Sequence, residues 1–147
     1  MSPDRCHTFR ALHDAGCFVM PNPWDCGSAR LLEGLGFKAL ATTSAGFGWS
    51  RGKADNRVTL DEVLTHLRAI VSSVSVPVNA DFEGGFATDA AGVAVNVAAA
   101  IATGIAGLSA HWSTTGGRRR EPAQFRVCAG SHSVITHYHD SLHQRAR

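Results

Sequence analysis

The chain has 147 residues, of which 44% are hydrophobic, and its formal net charge at pH 7 is +2. This length and composition suit one domain with a core of its own. They exclude a membrane-spanning helix, because no apolar run approaches about 20 residues. Charged residues interrupt the start of the chain, and the four cysteines show no metal or disulfide spacing, so we expect a cytoplasmic protein with reduced thiols.

Strands alternate with helices along residues 1–110. Turn residues, capping residues and apolar periodicity mark the boundaries. The predicted elements, in chain order, are a helix around 9–15, a strand at 17–22, a helix at 26–36 capped by Asp25, a strand at 38–44, a glycine-rich loop reaching residue 55, a helix at 59–75, a strand at 76–83, a helix at 88–104 and a strand at 105–110.

The helix at 59–75 has the clearest signature. Thr59 and Glu62 form the pattern of a capping box, in which each side chain bonds the backbone N–H of the other residue. The apolar residues that follow recur at spacings of three, four and seven, which places them on one buried face. Its members are Leu60, Val63, Leu64, Leu67, Ile70, Val71 and Val74.

Alternating strands and helices predict an α/β fold with a parallel sheet, because a parallel return requires a long crossover and a helix makes it compactly. Four such units fit either an open doubly wound sheet or the first half of a (β/α)8 TIM-type barrel. The pattern alone does not choose between the two.

Two carboxylates stand at the end of the third predicted strand, in the segment PVNADFEGGF at 77–86. In either architecture the carboxyl ends of the strands form the face that binds ligands. Asp81 and Glu83 are two apart, so an extended backbone would point both to the same side. A hard cation such as Mg²⁺ would relieve their repulsion. The alternative is a helix cap beside a solvated loop acid.

A second candidate segment, TTSAGFGWSRGKAD at 42–55, follows the second predicted strand. It offers three adjacent hydroxyls, and its glycines let the backbone approach a ligand closely. Hydroxyls and backbone N–H groups presented in this way suit a carboxylate or a developing enolate oxygen. The alternative is a mobile glycine loop.

These segments, in this order, resemble the isocitrate lyase and phosphoenolpyruvate mutase superfamily, in particular its 2-methylisocitrate lyase-like and phosphonomutase-like branch. The matching stretches are residues 21–55, 77–86 and 96–109. The resemblance implies a TIM-type barrel and a Mg²⁺-dependent lyase or phosphonomutase. Its reaction would act on a C–C or P–C bond next to a 2-oxo acid, through an enolate.

The resemblance also implies roles for individual residues. Asp81 and Glu83 match the acids that hold Mg²⁺, with Mn²⁺ as a possible substitute, largely through water. Asp55 matches the acid that closes the second-strand loop near the metal and the substrate. The residues that match the loop holding the carboxylate and enolate oxygen of a small 2-oxo acid are Thr43, Ser44, Ala45 and Gly46.

The resemblance ends near Ser109. Where the superfamily carries a supporting glutamate at the fourth strand end, this chain reads Ala110, His111 and Trp112. Cys128 lacks the context of the superfamily's catalytic cysteine. We therefore expect a truncated relative with impaired turnover.

Residues 111–147 are expected to be an irregular, basic tail unrelated to the domain at 1–110. This tail carries six of the chain's basic residues but two of its acids. A run of three arginines at 118–120 could bind phosphate, and His139 and His143 could bind metal. The arginine run is usually a solvated surface, so nucleic-acid binding by the basic tail is the less favoured alternative, and a steep salt dependence of binding would be its mark. Because its sheet edges would be open, the chain should form homo-oligomers or aggregate. The non-catalytic alternative is a fragment that self-associates or binds ligand weakly.

Overall fold

The computed structural model describes the backbone of residues 4–112, 123–128 and 135–136. Within these ranges, no helix is both long and apolar enough to cross a membrane. The elements in chain order are α1 (Arg5–Ala11), α2 (Cys26–Gly34), β1 (Leu40–Ala41), α3 (Ser44–Ser50), α4 (Leu60–Ser73), β2 (Val78–Asp81), α5 (Ala90–Ile101), β3 (Gly107–Trp112), β4 (Ala123–Cys128) and β5 (Ile135–Thr136).

The first three strands form the predicted parallel sheet. Strand β1 pairs with β2, and β2 pairs with β3, both in parallel register. Helix α4 connects β1 to β2 and helix α5 connects β2 to β3. The carboxyl ends of the three strands therefore lie at one edge of the sheet, as the α/β prediction requires.

The tail differs from the predicted irregular segment. Strand β3 continues to Trp112 and pairs antiparallel with β4, which in turn pairs with β5. The apolar residues at 123, 125 and 127 follow the period of two that suits a strand. Because β4 occupies the outer edge of β3, the expectation that this edge is open is wrong.

The predicted strand at 17–22 is absent, although the segment lies beside the sheet. The backbone N–H of Ala41 donates to the carbonyl of Pro21 at 3.1 Å, and the amide of Asn22 donates to the carbonyl of Ala41 at 2.9 Å. Pro21 and Pro23 have no N–H to continue a ladder, which explains why a strand is not formed.

Two predicted helix starts are confirmed in detail. Asp25 caps α2 and forms a capping box with Ser28. Thr59 caps α4 and forms the predicted box with Glu62. Each box satisfies backbone N–H groups that have no partner inside the helix.

The core lies between the sheet and α4. The buried face of α4 contacts strand residues that include Leu40, Val78, Ala80 and Leu108, and the predicted apolar stripe is confirmed at Val63, Leu64, Leu67, Ile70, Val71 and Val74. A second cluster joins Phe9 of α1 to Ala39 and Ala106, just before β1 and β3. Helix α1 thus covers the end of the sheet opposite the carboxyl ends of the strands.

Candidate active site at the carboxyl ends of the strands

Asp81 is the last residue of β2, and residues that follow β1 hold its position. Its Oδ2 accepts a hydrogen bond from the Ser44 backbone N–H at 3.0 Å and another from the Ser44 hydroxyl at 2.8 Å. Its own backbone N–H donates to Oγ1 of Thr42 at 2.9 Å. These bonds fix the Asp81 carboxylate at the edge of the sheet where ligands bind in folds of this kind.

Glu83 lies in a turn and not on an extended strand. Strand β2 ends at Asp81, and Glu83 has a φ of 47°, a left-handed conformation that is uncommon for residues other than glycine. Between the two acids, Phe82 is fully buried, and its N–H donates to the Ser109 carbonyl at 2.9 Å. The predicted extended backbone from 81 to 83 is therefore wrong, and a turn places Glu83 beside Asp81.

The carboxyl group of Glu83 is in an unfavourable environment for a charge. Burial, followed by the negative charges of Asp81 and Asp55, raises the pKa of Glu83 from 4.5 to about 7. Its Oε1 is buried and has no hydrogen-bond partner among the described residues. Burying an ionised oxygen in this way costs free energy unless a cation or donor is present.

Asp55 reaches the same region from the segment after α3. It is exposed, and its Oδ1 accepts a hydrogen bond from the Asn56 backbone N–H at 3.0 Å. An ion pair of 2.6 Å between Lys53 and Glu62 ties this segment to the start of α4. The negative charge of Asp55 contributes to the raised pKa of Glu83, but among the described residues no three such acids are grouped closely enough to hold one metal ion.

The glycine-rich loop begins as a short helix. Thr43 caps α3, and its Oγ1 accepts a hydrogen bond from the Gly46 N–H at 3.2 Å. A Cβ at Gly46 would lie 2.7 Å from Cγ2 of Thr43, and one at Gly48 would lie 3.4 Å from the Ala54 carbonyl. The glycines therefore permit close approach, as expected, but inside a helix that their composition did not predict.

Three of the four predicted substrate-binding residues line an open pocket of about 510 Å³: Thr43, Ala45 and Gly46. The fourth, Ser44, is engaged by Asp81 instead. The other lining residues are Asn22, Trp24, Trp49 and Ser50. Trp24 is 49% exposed.

The acids fit a hydrated divalent cation better than a directly ligated one. In the part of the chain that the structure describes, no three His, Cys, Asp or Glu side chains are grouped to hold a metal ion. However, Glu83 has a buried oxygen without a partner and two acidic neighbours. Mg²⁺ keeps several waters and is commonly held by one or two carboxylates, which suits this donor set.

Sequence reasoning missed the polar contacts below the acids. Asn79, two residues before Asp81 on β2, is buried, and its amide donates to the Ser109 hydroxyl at 3.2 Å. That hydroxyl donates to the Ala80 carbonyl at 3.3 Å. A polar residue at 79 inside an apolar run is the one signal that could have indicated this layer.

The tail candidates lie largely outside the described residues. The arginine run at 118–120, His139 and His143 are among them. For His111 and Cys128 the structure describes the backbone alone, on β3 and β4.

Comparison with known proteins agrees with this geometry. The sequence model of the phosphoenolpyruvate phosphomutase family matches residues 9–127. A provisionally assigned lyase/mutase from Burkholderia cenocepacia J2315 is 45% identical, with a TM-score of 0.70 over 71% of this chain and 38% of that one. A provisionally assigned phosphonomutase from the same organism is 31% identical, with a TM-score of 0.73 over 80% of this chain and 49% of that one.

Oxaloacetate acetylhydrolase, solved with its product oxalate, is 30% identical, with a TM-score of 0.66 over 71% of this chain and 38% of that one. This chain spans between 38% and 49% of the length of these three structures. The similarity decides between the two architectures in favour of the first half of a TIM-type barrel. The chain therefore belongs to the phosphoenolpyruvate phosphomutase family, within a superfamily of lyases and phosphonomutases.

Proposed function

We propose that this chain binds Mg²⁺, or Mn²⁺ in its place, together with a small 2-oxo acid at the carboxyl ends of β1 and β2. The reaction class is the cleavage or formation of a C–C or P–C bond next to the oxo-acid group, through an enolate. The proposed compartment is the cytoplasm, where the thiols of Cys17 and Cys26 would remain reduced.

The observation that carries the metal proposal is the environment of Glu83. Its buried, unpartnered oxygen and its acidic neighbours make the ionised form unfavourable in the protein alone. A divalent cation held by Glu83 and Asp81 would reverse this balance, because its positive charge would offset the repulsion between the two carboxylates. The left-handed backbone at Glu83 supports the same interpretation, since strained residues cluster at functional sites.

Each residue of the site has a distinct proposed role. Bound Mg²⁺ supplies positive charge that stabilises an enolate oxygen. Ser44 orients Asp81 through its two hydrogen bonds. These bonds join the proposed metal-binding acid to the loop at residues 43–46. Asp55 faces the substrate from the segment after α3. The residues that receive the carboxylate of the oxo acid are Thr43, Ala45 and Gly46.

The neighbours support a 2-oxo acid as the substrate class. One neighbour is named for its action on oxaloacetate and was solved with oxalate, and another is named as a phosphonomutase. Oxalate resembles the enolate of pyruvate in charge and shape, so it is a suitable probe for this chain. Binding a stable mimic of a reaction intermediate tests the site without requiring turnover.

We propose binding, with little turnover, as the property of the 147-residue chain by itself. Fixing a substrate leaves most of the barrier in place unless a proton or group is also transferred. The resemblance implies an acid at the end of the fourth predicted strand. This chain has Ala110, His111 and Trp112 there. Assays with Mg²⁺ against oxaloacetate, 2-methylisocitrate and phosphonopyruvate should therefore show at most a small rate, and robust turnover would contradict this.

Calorimetric titration with Mg²⁺ and then oxalate tests the proposed site. We expect Asp81→Asn and Glu83→Gln each to weaken Mg²⁺ binding by at least about tenfold, or 1.4 kcal/mol. Asp14→Asn is the matched control, since Asp14 is an exposed acid after α1, and its binding should equal the wild type. Circular dichroism would verify that all variants fold. Unchanged Mg²⁺ affinity in both site variants would overturn the proposal.

A further inference from the structure

The open pocket lined by Thr43, Ala45 and Gly46 has an aromatic rim. It measures about 510 Å³ and lies against the residues proposed to hold the oxo-acid carboxylate. Trp24 and Trp49 are 49% and 69% exposed, so two large apolar rings border it. Exposed tryptophans are costly to leave in water and are often explained by a ligand or partner.

The polar groups of this pocket are already engaged within the protein. The Asn22 amide donates to the Ala41 carbonyl at 2.9 Å, and the Ser50 hydroxyl donates to the Phe47 carbonyl at 2.7 Å. The Thr43 hydroxyl oxygen accepts from the Gly46 N–H at 3.2 Å. The donors of Asn22 and Ser50 are therefore poorly available to a ligand, whereas the Thr43 hydroxyl hydrogen is left to donate to a carboxylate; away from Thr43 the pocket presents mainly apolar contact.

The pocket also lacks charge. None of its lining residues is acidic or basic. By contrast, a cavity of about 400 Å³ between α3 and α4 is lined by the charged residues Arg51, Asp61 and Glu62. The uncharged part of a ligand is therefore better placed toward the two tryptophans, and its carboxylate toward residues 43–46 on the side of the proposed Mg²⁺.

We propose that this pocket is a specificity subsite that receives an uncharged, apolar substituent of the 2-oxo acid, longer than a methyl group. This proposal rests on the proposed function, because the carboxylate must be held at residues 43–46 for the substituent to enter the pocket. Trp49 lines the pocket from α3, and Trp24 lines it from the segment before α2. The preferred ligands are then 2-oxo acids with an aliphatic chain, not pyruvate itself.

Calorimetry with pyruvate and 2-oxopentanoate, both at saturating Mg²⁺, measures the preference. The second ligand has two additional methylene groups, each worth about fourfold in affinity when buried. We therefore expect 2-oxopentanoate to bind about 15-fold more tightly than pyruvate.

The variants test whether the tryptophan wall causes the preference. Trp49→Ala should reduce the affinity ratio to below about threefold, and Trp49→Phe, which keeps a ring, should retain most of it. Leu31→Ala is the control, because Leu31 is 65% exposed on α2 and does not line the pocket. Its affinity ratio should equal that of the wild type.

The outcomes separate this proposal from the one on which it rests. If oxalate and pyruvate bind with Mg²⁺ but 2-oxopentanoate shows no advantage, or if Trp49→Ala keeps the full ratio, the apolar subsite is wrong and the proposed function stands. If neither oxalate nor pyruvate binds, the proposed function fails and the subsite fails with it.

Discussion

Replacing Glu83 with glutamine tests the electrostatic reasoning about the acids without any substrate. A pKa of about 7 in the folded chain, against 4.5 in the unfolded chain, corresponds to roughly 3 kcal/mol if the charge is fully shielded from water. Glu83 is only half-buried, so solvent screening reduces this to about 1–2 kcal/mol. Because the folded state binds the proton more tightly, the free energy of unfolding should fall as the pH rises from 4.5 through 7.

Urea unfolding monitored by circular dichroism, in EDTA at pH 5 and pH 8, measures the effect. We expect Glu83→Gln to be more stable than the wild type by about 1–2 kcal/mol at pH 8 and closer to it at pH 5. Adding Mg²⁺ at pH 8 should stabilise the wild type and leave the variant nearly unchanged. Asp14→Asn should change stability by less than about 0.5 kcal/mol at either pH. A variant that is no more stable than the wild type at pH 8 would refute the reasoning.

Three further predictions concern the rest of the molecule. His66 stacks on Phe47 with ring centroids 3.9 Å apart, and its burial lowers its pKa from 6.5 to about 4. The free energy of unfolding should therefore fall as the pH drops from 6.5 to 4. His66→Leu should lessen that fall in urea titrations. Gly107→Ala should destabilise the folded chain by about 1–3 kcal/mol, since the added Cβ would lie 2.5 Å from the Phe9 ring. Gly34→Ala, whose Cβ would meet nothing within 4 Å, should be neutral or stabilising. Unfolding curves that rank the two variants the other way would contradict this packing. Self-association also stays a prediction, motivated by the exposed leucines of α2 and valine of α5, and sedimentation that shows only a 15.6 kDa species would contradict it.

Local signals in the sequence predicted much of the fold correctly. The sequence predicted the capping box at Thr59 and Glu62 and the apolar stripe of α4. Both depend only on residues within a few helical turns of one another. The parallel sheet followed from the alternation of elements. The acids at 81 and 83 were located at a strand end for the same reason.

The errors have physical causes that lie outside local sequence. Helix α3 contains Gly46 and Gly48, which disfavour helices, and close packing against Thr43 and the Ala54 carbonyl explains why glycine is used there. The glycine pair at 84–85 marks a turn, but it does not show that the left-handed backbone includes Glu83, because glutamate rarely adopts a positive φ.

The contacts of the candidate site required the folded chain. Ser44 and Asp81 are 37 residues apart, and their hydrogen bonds form only after β1 and β2 pair. The pairing of β4 with β3 is also non-local. It depends on a sheet edge that exists only after the parallel strands have assembled. The residue types indicated the acids and the loop as candidate site residues, but they did not show that Ser44 donates hydrogen bonds to Asp81.

A crystal of this chain grown with Mn²⁺ and oxalate would test the central claim most directly, through anomalous scattering from the metal. We expect a Mn²⁺ peak beside the carboxylates of Asp81 and Glu83, with oxalate between that peak and residues 43–46. A fully occupied Mn²⁺ site elsewhere with no peak beside these two acids, or oxalate bound away from residues 43–46, would contradict it.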